Sequence, residues 1–407
     1  MSVFEVTAEA QIQEILEWAL ADGKTLSVCG QNSKSAFGRP MQTDAQLSLK
    51  NLQGVEMYEP AELVMKAKAG SRLVDIAKAL DERGQQLAFA PPDYGPLLGG
   101  VAGQATLGGV FACNLSGSSR IKAGAARDHL LGVQGFTGRA QPFQAGSRVM
   151  KNVTGYDLCK IITGSYGTLA VCTDFTFKVL PKPEKARTVL VYGEEVSAAV
   201  NSMRDAMSSI HEISATAYLP QDIAARANID FVSDAGYAVT AILVEGPSAS
   251  AEFRCSALRD AFQSRGRVEE LHGMRSAKFW SFVANAQAYV ADQSTQIWRV
   301  SIPPASASDY IAAVQETLPE LDYYLDWAGG LIWLSLPASV QNAGADAVRG
   351  CLNGNGHATL IRAPENTRGD VGPFQPQNSV LSRISENIRE GFDPSRILNP
   401  GRMYPFE

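Results

Sequence analysis

The sequence PPDYGPLLGGVAGQATLGGVFACNLSGSSRIKAGAARDHLLGV at residues 91–133, followed by MKNVTGYDLCKIITGSYGTLAVCTDFTFKVLP at residues 150–181, decides the fold of this chain. Glycines recur through both segments, more often than strands or helices need, and glycine weakens both kinds of element. Glycine also permits a positive φ and lets a flat or bulky ligand contact the main chain. Turns of small residues can direct several N–H groups at one anion. The pattern indicates either a glycine-rich β-domain with tight turns or a site for a phosphate-bearing ligand.

The order of the motifs distinguishes these alternatives. The strings ATLGG (105–109), ARDHLLGV (126–133), KNVTGYDL (151–158) and GSYGTLAV (164–171) follow one another along the chain. LSVCGQNSK (26–34) precedes them, and GFDPSRILNPGRMY (391–404) ends the series. In sequence and in separation these strings resemble the flavin-binding proteins of the vanillyl-alcohol oxidase/PCMH superfamily. The matches span nearly the whole chain, and their shared order is more specific than any one of them.

This resemblance implies an α+β protein, with a two-subdomain PCMH-type FAD-binding domain followed by an α+β cap domain that has an antiparallel sheet. We expect the FAD domain over residues 1–183, with subdomains of about 1–50 and 51–183. Pro181 and Pro183 favour a domain boundary there, because prolines cannot continue a strand ladder. The cap would then cover residues 184–385, and residues 386–407 would return to the FAD domain.

Within the superfamily, the chain length, the KNVTGYDL motif and the string GHATLIRAP (356–364) most resemble the FAD-binding E subunits of bacterial glycolate oxidases. The resemblance implies an FAD-dependent oxidoreductase that acts on the CH–OH group of glycolate, a 2-hydroxy acid, and forms glyoxylate. Its partners would be a D-type flavoprotein subunit and an iron–sulfur subunit that receives the electrons. The alternative is a self-sufficient FAD-dependent dehydrogenase of the D-lactate type. A third possibility is a binding protein whose flavin fold is empty.

The family places the cofactor against five segments of this sequence. Some relatives attach FAD covalently through a histidine in the loop at residues 30–34; this loop has none, so we expect non-covalent FAD unless Cys113 forms a linkage. The candidate cofactor-binding residues are Gly30, Gln31, Asn32, Ser33, Lys34, Pro91, Asp93, Thr106, Leu107, Gly108, Gly109, Asn114, Ser116, Gly155, Tyr156, Gly164, Ser165, Gly167, Thr168 and Leu169.

Catalytic residues are less evident. The catalytic relatives carry a histidine-rich string, G-H-x-G-D-G-N-x-H, in the cap, where this chain has Gly-Asn-Gly-His-Ala-Thr-Leu at residues 354–360. The second histidine and the aspartate of that string are missing, which favours a subunit that does not turn over alone. The substrate carboxylate would require an arginine, and a base would take the hydroxyl proton. His357 and Arg362 are the candidates for these roles.

Composition excludes several classes of protein. The chain has 407 residues, 45% hydrophobic and 19% charged, with a net charge of −6, as in an ordinary globular protein and unlike a nucleic-acid binder. The six cysteines form no C-x-x-C pair, so we expect no metal site and reduced thiols. We expect neither a signal peptide nor a membrane span, since no apolar run approaches ~18–20 residues. The protein is therefore expected in the cytoplasm, held to the inner face of the plasma membrane at most through its partners.

Apolar spacing predicts local elements on both sides of the boundary. Ile12, Ile15, Leu16, Ala19 and Leu20 predict a first helix with Thr7 as its N-cap. Strands are predicted at residues 26–29, 65–69 and 170–179, a turn at 106–109, and a helix at 158–163. Beyond residue 183, strands alternate with helices up to a strand at 357–362.

Overall fold

The computed structural model describes residues 2–147 and 156–405. Within them the chain forms two compact units. The first is drawn from Met1–Leu115, Gly124–Lys182 and Pro376–Glu407, and the second from Ser116–Ala123 and Pro183–Gln375. The first break after the glycine-rich region lies between Lys182 and Pro183, beside the prolines noted above. The return to the first unit comes at residue 376, ten residues before the position expected from the sequence, and residues 116–123 belong to the second unit.

The strands are, in chain order, β1 Ser2–Glu5, β2 Leu26–Cys29, β3 Ala45–Ser48, β4 Val55–Glu59, β5 Val64–Lys68, β6 Gln85–Gln86, β7 Leu130–Thr137, β8 Pro142–Gly146, β9 Ala170–Lys178, β10 Leu180–Pro181, β11 Lys185–Tyr192, β12 Ala215–Leu219, β13 Val239–Gly246, β14 Val268–His272, β15 Gln296–Ser301, β16 Asp322–Asp326, β17 Leu331–Leu336 and β18 His357–Arg362.

The α-helices are α1 Glu9–Ala21, α2 Leu73–Asp81, α3 Leu107–Ala112, α4 Arg120–Ala123, α5 Ala126–His129, α6 Leu158–Ile162, α7 Val196–Met207, α8 Gln221–Ala225, α9 Ser248–Phe262, α10 Gly273–Ala284, α11 Ala307–Thr317, α12 Ala345–Gly350, α13 Glu365–Val371 and α14 Ser379–Phe392. None of the helices in the described parts of the chain has the length and apolar character needed to cross a membrane.

The first unit contains two main sheets. A parallel three-stranded sheet has the order β1-β3-β2, and an antiparallel five-stranded sheet has the order β4-β5-β9-β7-β8. A short antiparallel pair joins β10, which follows β9, to β6, which follows α2. In β9 the apolar side chains of Val171, Phe175 and Phe177 are buried, and Phe111 of α3 stacks on Phe175 with ring centroids 4.9 Å apart. This packing fixes α3, and the loop before it, against the five-stranded sheet.

The second unit is built on one antiparallel eight-stranded sheet with the order β14-β11-β13-β12-β16-β17-β15-β18. Alternate strand residues such as Trp298, Val300, Ile332 and Leu334 form a core with apolar side chains of α7, α11 and α12. A second core packs α9 against β11 and β13. The predicted α+β class, with an antiparallel sheet in the C-terminal part, is confirmed.

The predicted first helix begins one residue later than expected. Its N-cap is Ala8, and the side chain of Gln11 accepts hydrogen bonds from the backbone N–H groups of Thr7 (2.8 Å) and Ala8 (3.1 Å). Thr7 as the N-cap was therefore wrong, because a glutamine inside the first turn already satisfies these two donors. The predicted turn at residues 106–109 is instead the start of α3, with Thr106 as its N-cap.

Candidate functional site

A cavity in the first unit lies between the loop after β2, the start of α3 and the turn before β9. Its space between the atoms is about 820 Å³, including the solvent at its mouth. β2 ends at Cys29 and delivers the loop to the cavity edge, while the N-cap of α3 delivers Thr106, whose Oγ1 accepts from the Gly109 N–H at 3.3 Å. Ten of the predicted cofactor-binding residues line this cavity: Gly30, Gln31, Asn32, Ser33, Lys34, Thr106, Gly108, Gly109, Ser165 and Gly167.

Two of these glycines are required by close approach. A Cβ at Gly30 would lie 2.5 Å from Thr106 Oγ1, and a Cβ at Gly109 would lie 2.9 Å from Cε of Lys34. Any side chain at these positions would therefore displace a cavity-lining group. The backbone itself forms this part of the wall, so a ligand here can contact main-chain N–H groups directly.

Gly167 holds the opposite side of the cavity. Its φ is +69°, and a Cβ would lie 2.7 Å from Nδ2 of Asn399. Asn399 accepts a hydrogen bond from the Val28 N–H at 2.8 Å and donates one to the Tyr166 carbonyl at 2.8 Å. The C-terminal segment thus ties β2 to the turn before β9, which sets the width of the cavity.

Two buried cations face this space. Lys34 is 7% exposed, and its Nζ lies 3.4 Å from the Ser33 hydroxyl. No carboxylate of the described residues lies within 4.0 Å of that ammonium, and burial lowers the pKa of Lys34. Arg402 is 8% exposed and donates from Nη2 to the Lys34 carbonyl at 3.0 Å. Its buried Nε has no hydrogen-bond partner among the described residues. A buried cation without an anion is costly, so the cavity has the chemistry of an anion site.

Free thiols complete the cavity wall. Cys29, Cys113 and Cys172 line it, and burial raises the pKa of each, that of Cys172 to about 12. A protonated thiol is a poor nucleophile. The environment of Cys113 therefore disfavours the covalent flavin linkage considered above.

The remaining predicted cofactor residues lie elsewhere. Asp93 organises its own turn, since its carboxylate accepts from the N–H groups of Gly95 (3.0 Å) and Gly103 (2.7 Å). Asn114 accepts from the Arg127 N–H at 3.2 Å, and Tyr156 is 91% exposed. Gly155 lies outside the described residues. Pro91 is half-buried, Leu107 is buried, and Ser116 is buried in the second unit.

Gly164, Thr168 and Leu169 line a second cavity of the first unit, together with Ser165 and residues of the 376–405 segment. The hydroxyl of Thr168 donates to the Ser165 carbonyl at 2.7 Å, which shapes the turn between them. The turn at residues 164–169 therefore borders both cavities: Gly167 faces the first, Gly164, Thr168 and Leu169 face the second, and Ser165 lines both.

Sequence reasoning missed Arg402. Arg402 lies in the C-terminal string quoted above, but a single arginine after a glycine gives no local signal of burial. Only the hydrogen bond to a residue 368 positions earlier in the chain marks its role.

An acidic cluster outside the cavity already holds a cation. Ligand atoms of Glu9, Glu56 and Asp174 lie within 4.8 Å of one another. The Lys68 ammonium lies 2.8 Å from Asp174 Oδ1, 2.5 Å from Glu56 Oε1 and 2.7 Å from Glu9 Oε1. The ammonium occupies the position that a metal ion would take, so these carboxylates form an ion-pair network.

In the second unit, the two catalytic candidates differ in their surroundings. Arg362 donates to the backbone carbonyls of Tyr289, Asp292 and Thr295 at 2.7–3.0 Å, and burial lowers its pKa to about 10. Its guanidinium therefore ties down the loop before β15. His357 is exposed at the start of β18. Partial burial of its ring lowers the pKa of the imidazole, and the charges of Arg299 and Arg120 lower it further.

Comparison with known proteins places these features in context. Residues 2–142 match a family described as "FAD binding domain". The chain is 34% identical over 404 residues to the glycolate oxidase subunit GlcE of Escherichia coli (strain K12), covering 98% of this chain and 97% of that protein. It is 27% identical over 170 residues to the glycolate oxidase subunit GlcD of Bacillus subtilis (strain 168), covering 42% and 34%. Its fold is similar to that of p-cresol methylhydroxylase with substrate bound, with a TM-score of 0.72 at 14% identity, covering 98% of this chain and 88% of the other.

Proposed function

Since this chain belongs to the E-subunit family of the FAD-binding glycolate oxidases, we propose that it is the FAD-binding subunit of a complex that oxidises glycolate to glyoxylate. Membership makes it a flavoprotein of the oxidoreductase class. The PCMH-type FAD-binding fold and the FAD cofactor predicted from the sequence are confirmed by the family match and by the structural similarity.

The cationic cavity of the first unit is the observation that carries the proposal. Lys34 and the unpartnered Nε of Arg402 suit the diphosphate of FAD, because both are buried cations that lack a carboxylate in the described chain. Gly30 and Gly109 suit it as well, since their backbone forms a wall that a Cβ would fill. We propose that these residues hold FAD without a covalent bond.

The reaction removes two electrons and two protons from glycolate. When bound, FAD supplies the acceptor for the hydride that leaves the α-carbon. The C–H and O–H bonds of the alcohol carbon break, a C=O bond forms, and a base takes the hydroxyl proton. The two electrons would then pass one at a time to an iron–sulfur partner subunit. The first unit of this chain contributes the binding and orientation of the cofactor and the exclusion of water from its buried half.

The requirement for partners rests on what the sequence lacks. Residues 354–360 depart from the histidine-rich string of the catalytic relatives, and the cysteines form no C-x-x-C pair. The similar proteins are called subunits, GlcE and GlcD, which supports a complex. We propose that a D-type flavoprotein subunit supplies the substrate base and that an iron–sulfur subunit carries the electrons onward.

The anaerobic visible spectrum of the purified chain tests this function. We expect a flavin spectrum that does not bleach on addition of glycolate or D-lactate to the chain alone, and that bleaches after the D-type partner is added. Bleaching of the chain alone would establish a self-sufficient dehydrogenase in place of an accessory subunit. A colourless chain that takes up no added FAD would exclude both.

A further inference from the structure

Helix α14 of the first unit exposes an apolar stripe. None of its fourteen residues is buried, whereas α1, α7, α9, α10 and α11, the other helices of at least eleven residues, each bury three to five. Val380, Leu381 and Ile384 are 54%, 52% and 49% exposed, and Ile388 follows one turn later, half-buried. Residues three and four apart share one face of a helix, so these four side chains form a continuous surface, the α14 stripe.

Both ends of α14 are fixed, although its stripe is uncovered. The Asn378 side chain caps the start by accepting hydrogen bonds from two backbone N–H groups of the first turn, at 3.1 Å and 2.9 Å. Arg139 donates to two carbonyls of the last turn, at 3.0 Å and 3.4 Å. Phe392 lies edge-on to Phe143, with ring centroids 6.2 Å apart. A helix of this length is only marginally stable alone in water, so these end contacts present the stripe as a preorganised surface.

The polar side of α14 lines the second cavity of the first unit. Ser382, Ser385 and Arg389 line it together with the turn at residues 164–169, around a space of about 1520 Å³ that includes the solvent at its mouth. Ile388 lines the same cavity, so the α14 stripe continues into it at one edge. The turn at residues 164–169 also borders the cofactor cavity. A partner that covers the stripe can therefore extend a loop through the second cavity to the wall of the cofactor cavity.

The charges of α14 favour a protein occupant over a lipid surface. The helix has two arginines and two glutamates, so it has no net charge to attract anionic headgroups, unlike the Lys/Arg-rich helices that lie on membranes. Glu386 is paired with Arg396. Arg383, next to Ile384, is exposed, and no carboxylate of the described residues lies within 4.0 Å of its guanidinium. An apolar stripe beside one unpaired cation suits a protein surface that has an apolar patch and an acidic side chain.

We propose that the α14 stripe and the second cavity form the docking surface for an iron–sulfur protein subunit, with a carboxylate of that subunit opposite Arg383. This inference rests on the proposed function, in which the electrons of the flavin pass to such a subunit. Electron transfer slows steeply with distance, so the acceptor must closely approach the cofactor cavity, and the turn at residues 164–169 is a part of its wall that α14 and its cavity make accessible. The D-type subunit has a different requirement, because its base must reach the reacting carbon of the substrate.

Reconstitution of the three-subunit complex tests this surface. The chain, with an affinity tag at its N-terminus, would be co-expressed with the D-type and iron–sulfur subunits, and flavin, iron and acid-labile sulfide would be measured per purified chain. Calorimetry with the purified iron–sulfur subunit gives the affinity. We expect Ile384→Glu to weaken that affinity by about 30-fold or more, because it removes a central apolar contact and buries an unpaired carboxylate. Iron and sulfide should be lost from the purified complex, and flavin content should not change.

Val74→Glu is the matched control for this substitution. Val74 is 48% exposed on α2 of the same unit, so the variant places the same charge at the same exposure on another helix. It should leave the affinity for the iron–sulfur subunit unchanged. Glutamate favours helix more than isoleucine does, so far-UV circular dichroism should be the same for Ile384→Glu, the control and the wild type.

Arg383→Gln isolates the contribution of charge. We expect it to weaken the affinity for the iron–sulfur subunit by about two- to fivefold at low salt, the range for an exposed ion pair. The difference from the wild type should shrink as salt is added. An affinity that is the same in Arg383→Gln and the wild type at low salt overturns the carboxylate assigned opposite this arginine.

The outcomes separate the docking surface from the function on which it rests. Equal affinity of the wild type and Ile384→Glu for the iron–sulfur subunit overturns the surface, as does a wild-type chain that does not bind that subunit. A chain without flavin that binds the iron–sulfur subunit and loses it in Ile384→Glu keeps the surface and refutes the flavin function.

Three results would assign the stripe to another occupant and so overturn the inference. The first is loss of the D-type subunit from Ile384→Glu with full retention of iron. The second is a wild-type chain that is dimeric alone in solution while Ile384→Glu is monomeric, which assigns the stripe to a second copy. The third is binding of the wild type, but not of Ile384→Glu, to vesicles of phosphatidylglycerol and phosphatidylethanolamine, which assigns it to a membrane surface.

Discussion

Valine in place of Gly109 should abolish FAD retention while leaving the fold intact. A Cβ at this position would lie 2.9 Å from Cε and 3.0 Å from Nζ of Lys34, and 3.2 Å from Thr106 Oγ1. The two further methyl groups of valine would push the lysine out of the cavity and occupy the space against the backbone. Overpacking of this kind costs about 1–3 kcal/mol, and the displaced ammonium adds to it, so FAD affinity should fall by roughly a hundredfold.

The measurement is the ratio of flavin to protein absorbance after purification and after dialysis against added FAD. Gly391→Val is the matched control, because Gly391 lies in α14 of the same unit and a Cβ there meets nothing within 4 Å. Far-UV circular dichroism should be the same for both variants and the wild type. Normal flavin content in Gly109→Val would show that the cofactor does not lie against this wall.

Methionine in place of Lys34 should have opposite effects on the apo and FAD-bound proteins. Burial lowers the pKa of Lys34 below its unfolded value, so the folded apo protein binds fewer protons than the unfolded chain between the lowered pKa and about 10.5. The stability of the apo protein therefore rises with pH in that window, and at neutral pH the charged lysine is a cost. Methionine removes this cost and keeps the length of the side chain, so the apo protein should melt about 2–4 °C higher.

With FAD bound, the same substitution removes the cation that faces the diphosphate. Affinity for FAD should fall by roughly 10- to 100-fold, the range for a charge-assisted hydrogen bond. Thermal melts of the apo and FAD-loaded forms, together with a fluorescence titration of FAD, measure both effects. Lys182→Met is the control, since this lysine is exposed and paired with Asp81 at 2.5 Å, and such surface pairs contribute about 0–1 kcal/mol. A lower melting temperature of apo Lys34→Met would mean that the ammonium has a stabilising partner in the apo protein.

Arg362 and Arg299 show how much local sequence pattern can predict. Arg362 lies in the GHATLIRAP string that carries part of the family resemblance. In the folded chain its guanidinium donates hydrogen bonds to backbone carbonyls of residues 289–295. Arg299 is half-buried in β15, at a position that no local pattern distinguishes from other arginines in strands. In the folded chain its guanidinium lies over the ring of Trp327, as does that of Arg120 from a segment almost 180 residues earlier.

Neighbouring residues and the order of the motifs were sufficient to predict local elements and the family. Strands β2 and β18 have the bounds expected from the sequence, because the alternation of apolar residues along a strand reflects which of them are buried. The family and the FAD cofactor followed from the order of the glycine-rich motifs. The loop after β2 and the start of α3 were expected to approach a ligand because only glycine allows backbone contact there.

Tertiary structure alone decided which distant groups meet. It brought Arg402 to Lys34, moved residues 116–123 into the second unit, and placed two guanidinium groups against Trp327. These contacts depend on burial and on hydrogen bonds between positions far apart in the chain, and the free energy of such a contact is set by what surrounds it after packing. A residue type and its neighbours in sequence do not specify that environment. The cationic character of the cavity in the first unit therefore became apparent only in the folded chain.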